Sequence, residues 1–218
     1  MIFENYDRIV FIGDSVTDAC SGGAVTERGD GLGQGYVRMI ENLLLSTYPE
    51  LNIRITNSGI SGHTTRHLVE RWQTDLLDLN PQWVSICIGI NDVWRQFDRP
   101  ACQEEWVLPD EYEANLVKMI ESINGKVKGI FIMSPFFMEP CKEDRMRARM
   151  DEYGAICRKL SEKYGCKFID LQTVFNDYFK HKATTFIASD RVHPNQIGST
   201  LIAKAFLEKA GFDYAHKA

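Results

Sequence analysis

Ser15 stands in the segment RIVFIGDSVTDAC, after four apolar residues, Ile9 to Ile12, and the pair Gly13-Asp14. Gly, Asp and Ser are the usual turn residues, so this segment reads as a buried strand ending in a turn. A hydroxyl held at such a strand end is also placed as a nucleophile, provided a base can reach it. The sequence offers that base far away, in IASDRVHPNQIG, where Asp190 and His193 are three apart and Pro194 holds the loop before a last helix. That spacing can set a carboxylate against one imidazole nitrogen and leave the other free. A neutral histidine so oriented accepts the proton of a serine. Asp-x-x-His is common by chance, so the reading depends on what else shares the rim.

Two further segments follow apolar runs. NSGISGHTT, Asn57 to Thr65, holds Gly59 and Gly62 and leads into a helix expected to begin about His63 or Thr64. An N–H at such a loop-to-helix junction can donate to a developing negative charge. GINDVW brings Asn91 and Asp92 to the end of another run, and the Asn91 amide can donate without carrying charge, as an oxyanion hole requires. Taken singly, each segment is also an ordinary turn.

These residues need a scaffold. Short apolar runs at Ile9–Ile12, Ile53–Thr56, Trp83–Ile88, Ile130–Met133 and Lys167–Ile169 have the β-branched character of strands covered on both faces. Helical spacing recurs between them: Val37, Ile40, Leu44 and Tyr48; Tyr112, Leu116, Ile120 and Ile123; Met146 to Tyr164, stopping at Gly165; and Ile197, Leu201, Ala205 and Leu207-Glu208, with Leu201 and Ala205 on one face of a last helix. Strand–helix alternation over the whole length predicts one α/β domain, residues 1–218, with a parallel sheet. Ligands of such sheets collect outside the carboxyl ends of the strands, where all the residues above belong.

The bulk properties narrow the function. A formal net charge of −5 and the lack of a basic run exclude binding by phosphate neutralisation, so nucleic acid is not an expected partner. No run approaches a membrane span, and the N-terminus lacks the order of a secretory signal. Six cysteines without C-x-x-C or regular spacing read as free thiols, Cys87 buried among them, in a reducing cytoplasm. No convincing metal-ligand cluster appears. RGDGLGQGY gives no G-x-G-x-x-G register, so Gly29 to Gly35 reads as a mobile loop near the site and not a nucleotide cradle. His63 and His67 lack the glutamate of H-E-x-x-H and read as a rim pair, not a zinc pair. His181 and His216 have no acid at comparable spacing. No G-x-S-x-G elbow surrounds Ser15, which argues against the larger α/β-hydrolase fold. Trp94, Arg95, Phe136 and Phe137 follow strands and either wall a pocket or pack.

In order and separation, FIGDSVTD, SGHT, GIND and DRVHP resemble the sequence blocks of the GDSL, or SGNH, esterase family. GLGQGYV, GINDVWRQFD and FLEKAGF resemble its intracellular acetylxylan-esterase branch, whose members are carbohydrate O-acetyl esterases. The resemblance implies a flavodoxin-like three-layer α/β/α sandwich with five parallel strands. It implies Ser15 as nucleophile, His193 as general base and Asp190 as its orienting acid, with no metal or other cofactor. The Ser15 and Gly62 N–H groups and the Asn91 side chain would form the oxyanion hole. Asp14, Trp94 and Arg95 are placed beside substrate, Asp14 with a structural role. The expected activity is hydrolysis of acetyl esters on xylo-oligosaccharides or other sugars. A lysophospholipase, thioesterase or general short-chain esterase is the alternative, and a non-catalytic ester- or carbohydrate-binding module is a weaker one. Homo-oligomer formation fits this branch, with no residue pattern that requires it.

Overall fold

Each apolar run ends where a polar turn begins, and the computed structural model, which describes residues 1–22, 25–27 and 29–217, turns these runs into one sheet. Its strands are β1 (Arg8–Gly13), β2 (Thr26–Glu27), β3 (Arg54–Gly59), β4 (Trp83–Cys87), β5 (Gly129–Met133) and β6 (Lys167–Ile169), in the order β2-β3-β1-β4-β5-β6. The five long strands are parallel, as expected of a flavodoxin-like sheet. β2 is an addition, a two-residue antiparallel strand on the edge of β3. Nothing that short carries a periodic signal.

The helices are α1 (Ser15–Asp18), α2 (Tyr36–Thr47), α3 (Thr65–Asp75), α4 (Ile90–Asp98), α5 (Pro109–Ile123), α6 (Arg145–Tyr164), α7 (Leu171–Phe179) and α8 (Gln196–Lys209). Alternate strand residues point to opposite faces. Ile9, Phe11 and Phe131 pack with α2, α7 and α8, whereas Val10, Ile12 and Ile130 pack with α3, α5 and α6. This is the three-layer sandwich.

The last helix departs from expectation. Ile197 is exposed and Leu201 and Ala205 are only half-buried, while Ile202 and Phe206 reach the core. The rows 197–201–205 and 198–202–206 are neighbours on the helix surface, and both carry apolar residues, so spacing alone does not choose between them. Phe206 decides it by packing on Phe11 and Phe131 at ring distances of 4.9 and 4.6 Å. Phe136 and Phe137 are also packing residues, each 3% exposed. Phe136 lies against Phe175, and Phe137 beneath the Arg191 guanidinium.

At the carboxyl ends of β1 and β3 the short helix α1 sits directly on the strands. A Cβ on Gly13 would lie 2.3 Å from the Cys87 carbonyl oxygen, and one on Gly59 would lie 2.2 Å from the Asp18 nitrogen. Neither position tolerates a side chain, and Ser15 is therefore held tight against the middle of the sheet.

Candidate active site

Asp14 begins the site by capping α1: its Oδ1 accepts from Val16 N at 3.0 Å. Ser15 is thus the first residue of a helix, where its own N–H has no intrahelical acceptor. Across the cleft, Asp190 folds its loop around one carboxylate. Oδ1 accepts from the backbone of Val192 (2.9 Å) and His193 (2.8 Å), and Oδ2 accepts from His193 Nδ1 at 2.6 Å. Asn195 then caps α8 through the nitrogens of Ile197 and Gly198. The carboxylate fixes the tautomer with the proton on Nδ1 and leaves Nε2 as an acceptor. Nε2 lies 2.9 Å from Ser15 Oγ.

Burial raises the Asp190 carboxyl, but the His193 ring and the two backbone donors outweigh it, and its pKa is lowered overall. A carboxylate so held stays ionised when the imidazole takes a proton.

The expected oxyanion donors come from two other loops. Gly62 adopts φ +83° in the turn before α3. Among the described residues, neither the Ser15 nor the Gly62 N–H makes a hydrogen bond. Asn91, 2% exposed, lies in the first turn of α4. Its amide nitrogen donates to His63 O (3.0 Å) and its Oδ1 accepts from Arg95 Nη2 (3.1 Å), which leaves its second N–H unspent. Free N–H donors around an activated hydroxyl are what a tetrahedral oxyanion needs.

The hydroxyl opens into a cleft of about 540 Å³ walled by Val16, Cys20, Gln34, Ser61, Pro194 and Gln196. The Gly29–Gly35 segment therefore does border the site. Arg28, which opens the glycine cluster, lies outside the described residues. A neighbouring polar cleft of about 500 Å³ is lined by Gly62, Thr64, His67 and Arg95. The Trp94 ring stands edge-on to His193 at 6.0 Å and is covered by Arg95. Arg95 is held by Asn91 and by an ion pair with Asp98.

Asp14 was expected beside substrate as well as in a structural role. With 1% exposure and its Oδ1 on the helix cap, it cannot touch a ligand in the cleft, and only the structural role fits. His67 Nδ1 accepts from Thr64 N and so closes a capping box at the start of α3, which removes it from metal ligation. His63 stacks on it at 4.6 Å, and desolvation, with Arg71 and His67 nearby, lowers its pKa to about 4. His216 does find an acid, Glu50 at 2.9 Å, but through tertiary contact and not among the residues of the Ser15 cleft. Among the described residues, no group of three His, Cys, Asp or Glu side chains is placed to hold a metal ion.

Spacing did not disclose the supports. Arg71 reaches under the site and donates to the carbonyls of Gly13 (3.0 Å) and Ser58 (2.8 Å), tying the ends of β1 and β3 together. Asn57 donates to Thr17 O and Leu32 O, fixing α1 and the glycine loop to β3. Asp92 accepts from the N–H and hydroxyl of Thr65 and ties α3 to α4. The one available signal was the polar run Thr56-Asn57-Ser58, buried inside the strand RITNSG.

The family model of GDSL-like lipases and acylhydrolases matches residues 11–201. The chain belongs to the GDSL-like lipase/acylhydrolase family. This GDSL-like protein is 44% identical over 212 residues, 95% of each chain, to an acetylxylan esterase of Geobacillus stearothermophilus. Its fold superposes on the crystal structure of Axe2, an acetylxylan esterase of the same organism, with a TM-score of 0.97, 42% identity and all of both chains covered. LAE5, described as an alpha/beta hydrolase from the metagenome of Lake Arreo, matches with a TM-score of 0.94 and 42% identity, over 97% of this chain and 98% of that one. The GDSL-like chain is a carboxylic ester hydrolase.

Proposed function

We propose that this protein removes acetyl groups from acetylated xylo-oligosaccharides or related sugars through an acyl-enzyme on Ser15. The observation that carries this reading is the run from Asp190 Oδ2 through the His193 ring to Ser15 Oγ, with links of 2.6 and 2.9 Å. It lies in a chain that aligns over 95% of its length with an acetylxylan esterase.

His193 Nε2 takes the Ser15 proton as Oγ attacks the ester carbonyl. The oxygen of the tetrahedral intermediate is received by the Ser15 and Gly62 N–H groups and the Asn91 amide. The same imidazolium then protonates the departing sugar hydroxyl, and water, deprotonated by His193, releases acetate. Asp190 stays ionised throughout and steadies the imidazolium. Trp94 and Arg95 flank the point where the sugar leaves, and a planar ring beside a polar cleft suits a pyranose. The six free thiols are in keeping with a reducing compartment such as the cytoplasm.

The volume of the Ser15 cleft favours a second reading, because 540 Å³ is more than an acetyl group fills and admits a longer acyl chain. A series of nitrophenyl esters separates the two. Acetate should turn over faster than octanoate, and the reverse order would make this a general esterase or thioesterase. Replacing Ser15→Ala or His193→Ala should abolish acetate release from acetylated xylo-oligosaccharides, and undiminished hydrolysis by either variant would remove the mechanism.

A further inference from the structure

A second polar cavity, of about 260 Å³, lies at the carboxyl edge of β5 and β6 where α6 and α7 meet, and it shares no lining residue with the Ser15 cleft. Arg147 enters it from the first turn of α6 with only 2% of its side chain exposed. Its Nε donates to Asp151 at 2.9 Å, and its Nη1 to Glu139 O and to Asn176 Oδ1. Nη2 has no hydrogen-bond partner among the described residues. Nη2 is not cut off from solvent, so an anion in the cavity would replace water as its acceptor with a charge-assisted hydrogen bond.

The rest of the lining points the same way. Lys142 Nζ, Asn176 Nδ2 and Thr173 Oγ1 are donors without a partner among the described residues. The acceptors are largely occupied. Asp170 Oδ1 caps α7 through Thr173 N, and its Oδ2 takes Arg158. Asn176 Oδ1 takes both Arg147 and Gln172. Three cations, Lys142, Arg147 and Arg158, face two carboxylates, Asp151 and Asp170. A cavity with spare donors and a net positive wall selects an acceptor-rich anion. Its volume is below the range of about 300–1,000 Å³ typical of drug-sized sites, which limits the ligand to a compact one.

We infer that this cavity is a binding site for a small oxyanion, a carboxylate or phosphate, held by Arg147 Nη2 and Lys142. Titration calorimetry of the full chain with sodium acetate and with sodium phosphate, against sodium chloride at matched ionic strength, tests it. At least one of the two oxyanions should bind saturably, and the two arms identify which. Lys142→Glu, an exposed substitution that leaves the core untouched, should weaken that binding about tenfold or more. The same variant should hydrolyse an aryl acetate at the wild-type rate, which separates this site from the one at Ser15. Heat no greater than that of chloride for both anions would overturn the assignment. So would unchanged affinity in Lys142→Glu, since the anion would then sit elsewhere.

Discussion

Ser15 opens to the cleft, whereas Asp14, one residue earlier, is buried and caps the helix that Ser15 begins. Burial raises the Asp14 pKa from 3.8 to about 7 against the lowering effect of Val16 N, and nearby Asp92, itself raised to about 6, adds to the rise. The native state therefore holds this proton more firmly than the unfolded chain does. The stability it confers is complete below pH 3.8 and is lost as pH climbs toward 7, at about 1.4 kcal/mol per unit of pH between the two values. Asn caps a helix as well as Asp does and cannot ionise. Asp14→Asn should thus raise the melting temperature at pH 8, and the gain should shrink toward pH 5 in thermal scans. An equal loss at both pH values would show that the carboxylate is needed as such. Ser15 and Asn91 stood out in the sequence because each is a polar residue soon after an apolar strand, whereas Asp190 and His193 lie in a loop well past β6 and stood out only by their own spacing. The environment of Asp14 was not legible, since a cap and a ligand contact look alike in GDS.

Between elements, the loop holding Asp190 and His193 rests on the loop that follows β5. Arg191, in a left-handed conformation at φ +64°, accepts from Met138 N through its carbonyl, pairs with Glu139 at 2.8 Å and lies over Phe137 at 5.0 Å. As an exposed ion pair it adds little stability, but it sets where His193 stands relative to Ser15. Glu139→Ala should lower kcat on an aryl acetate by about three- to tenfold with KM and melting temperature little changed. A fall in melting temperature with kcat intact would mark the pair as merely structural. None of this was legible beforehand, because the two loops are separate in sequence and no local pattern joins them. What the sequence did disclose was strand position and helix extent, where burial on both faces and caps such as Gly165 leave a one-dimensional trace. The burying face of α8 was lost because its partners, Phe11 and Phe131, lie on distant strands.

For the molecule as a whole, the sheet order places β1 between β3 and β4, so that Ser15, Gly62 and Asn91 follow three adjacent strands. That adjacency follows from topology and is what turns separate turns into one site. No helix of the described residues is long and apolar enough to cross a membrane. All six cysteines are free, with Cys87 and Cys157 buried and both thiols raised by desolvation, so no covalent link between elements contributes to the fold. The melting temperature should accordingly be the same with and without a thiol reductant, and a drop on reduction would reveal a disulfide.

Ser15 and His193 are 178 residues apart along the chain. During synthesis the proposed nucleophile is made well before its proposed base. A nascent polypeptide is therefore inert toward esters until His193 has been made, and a fragment that stops short of His193 is catalytically silent. Hydrolysis by this chain thus reports polypeptides that extend through His193.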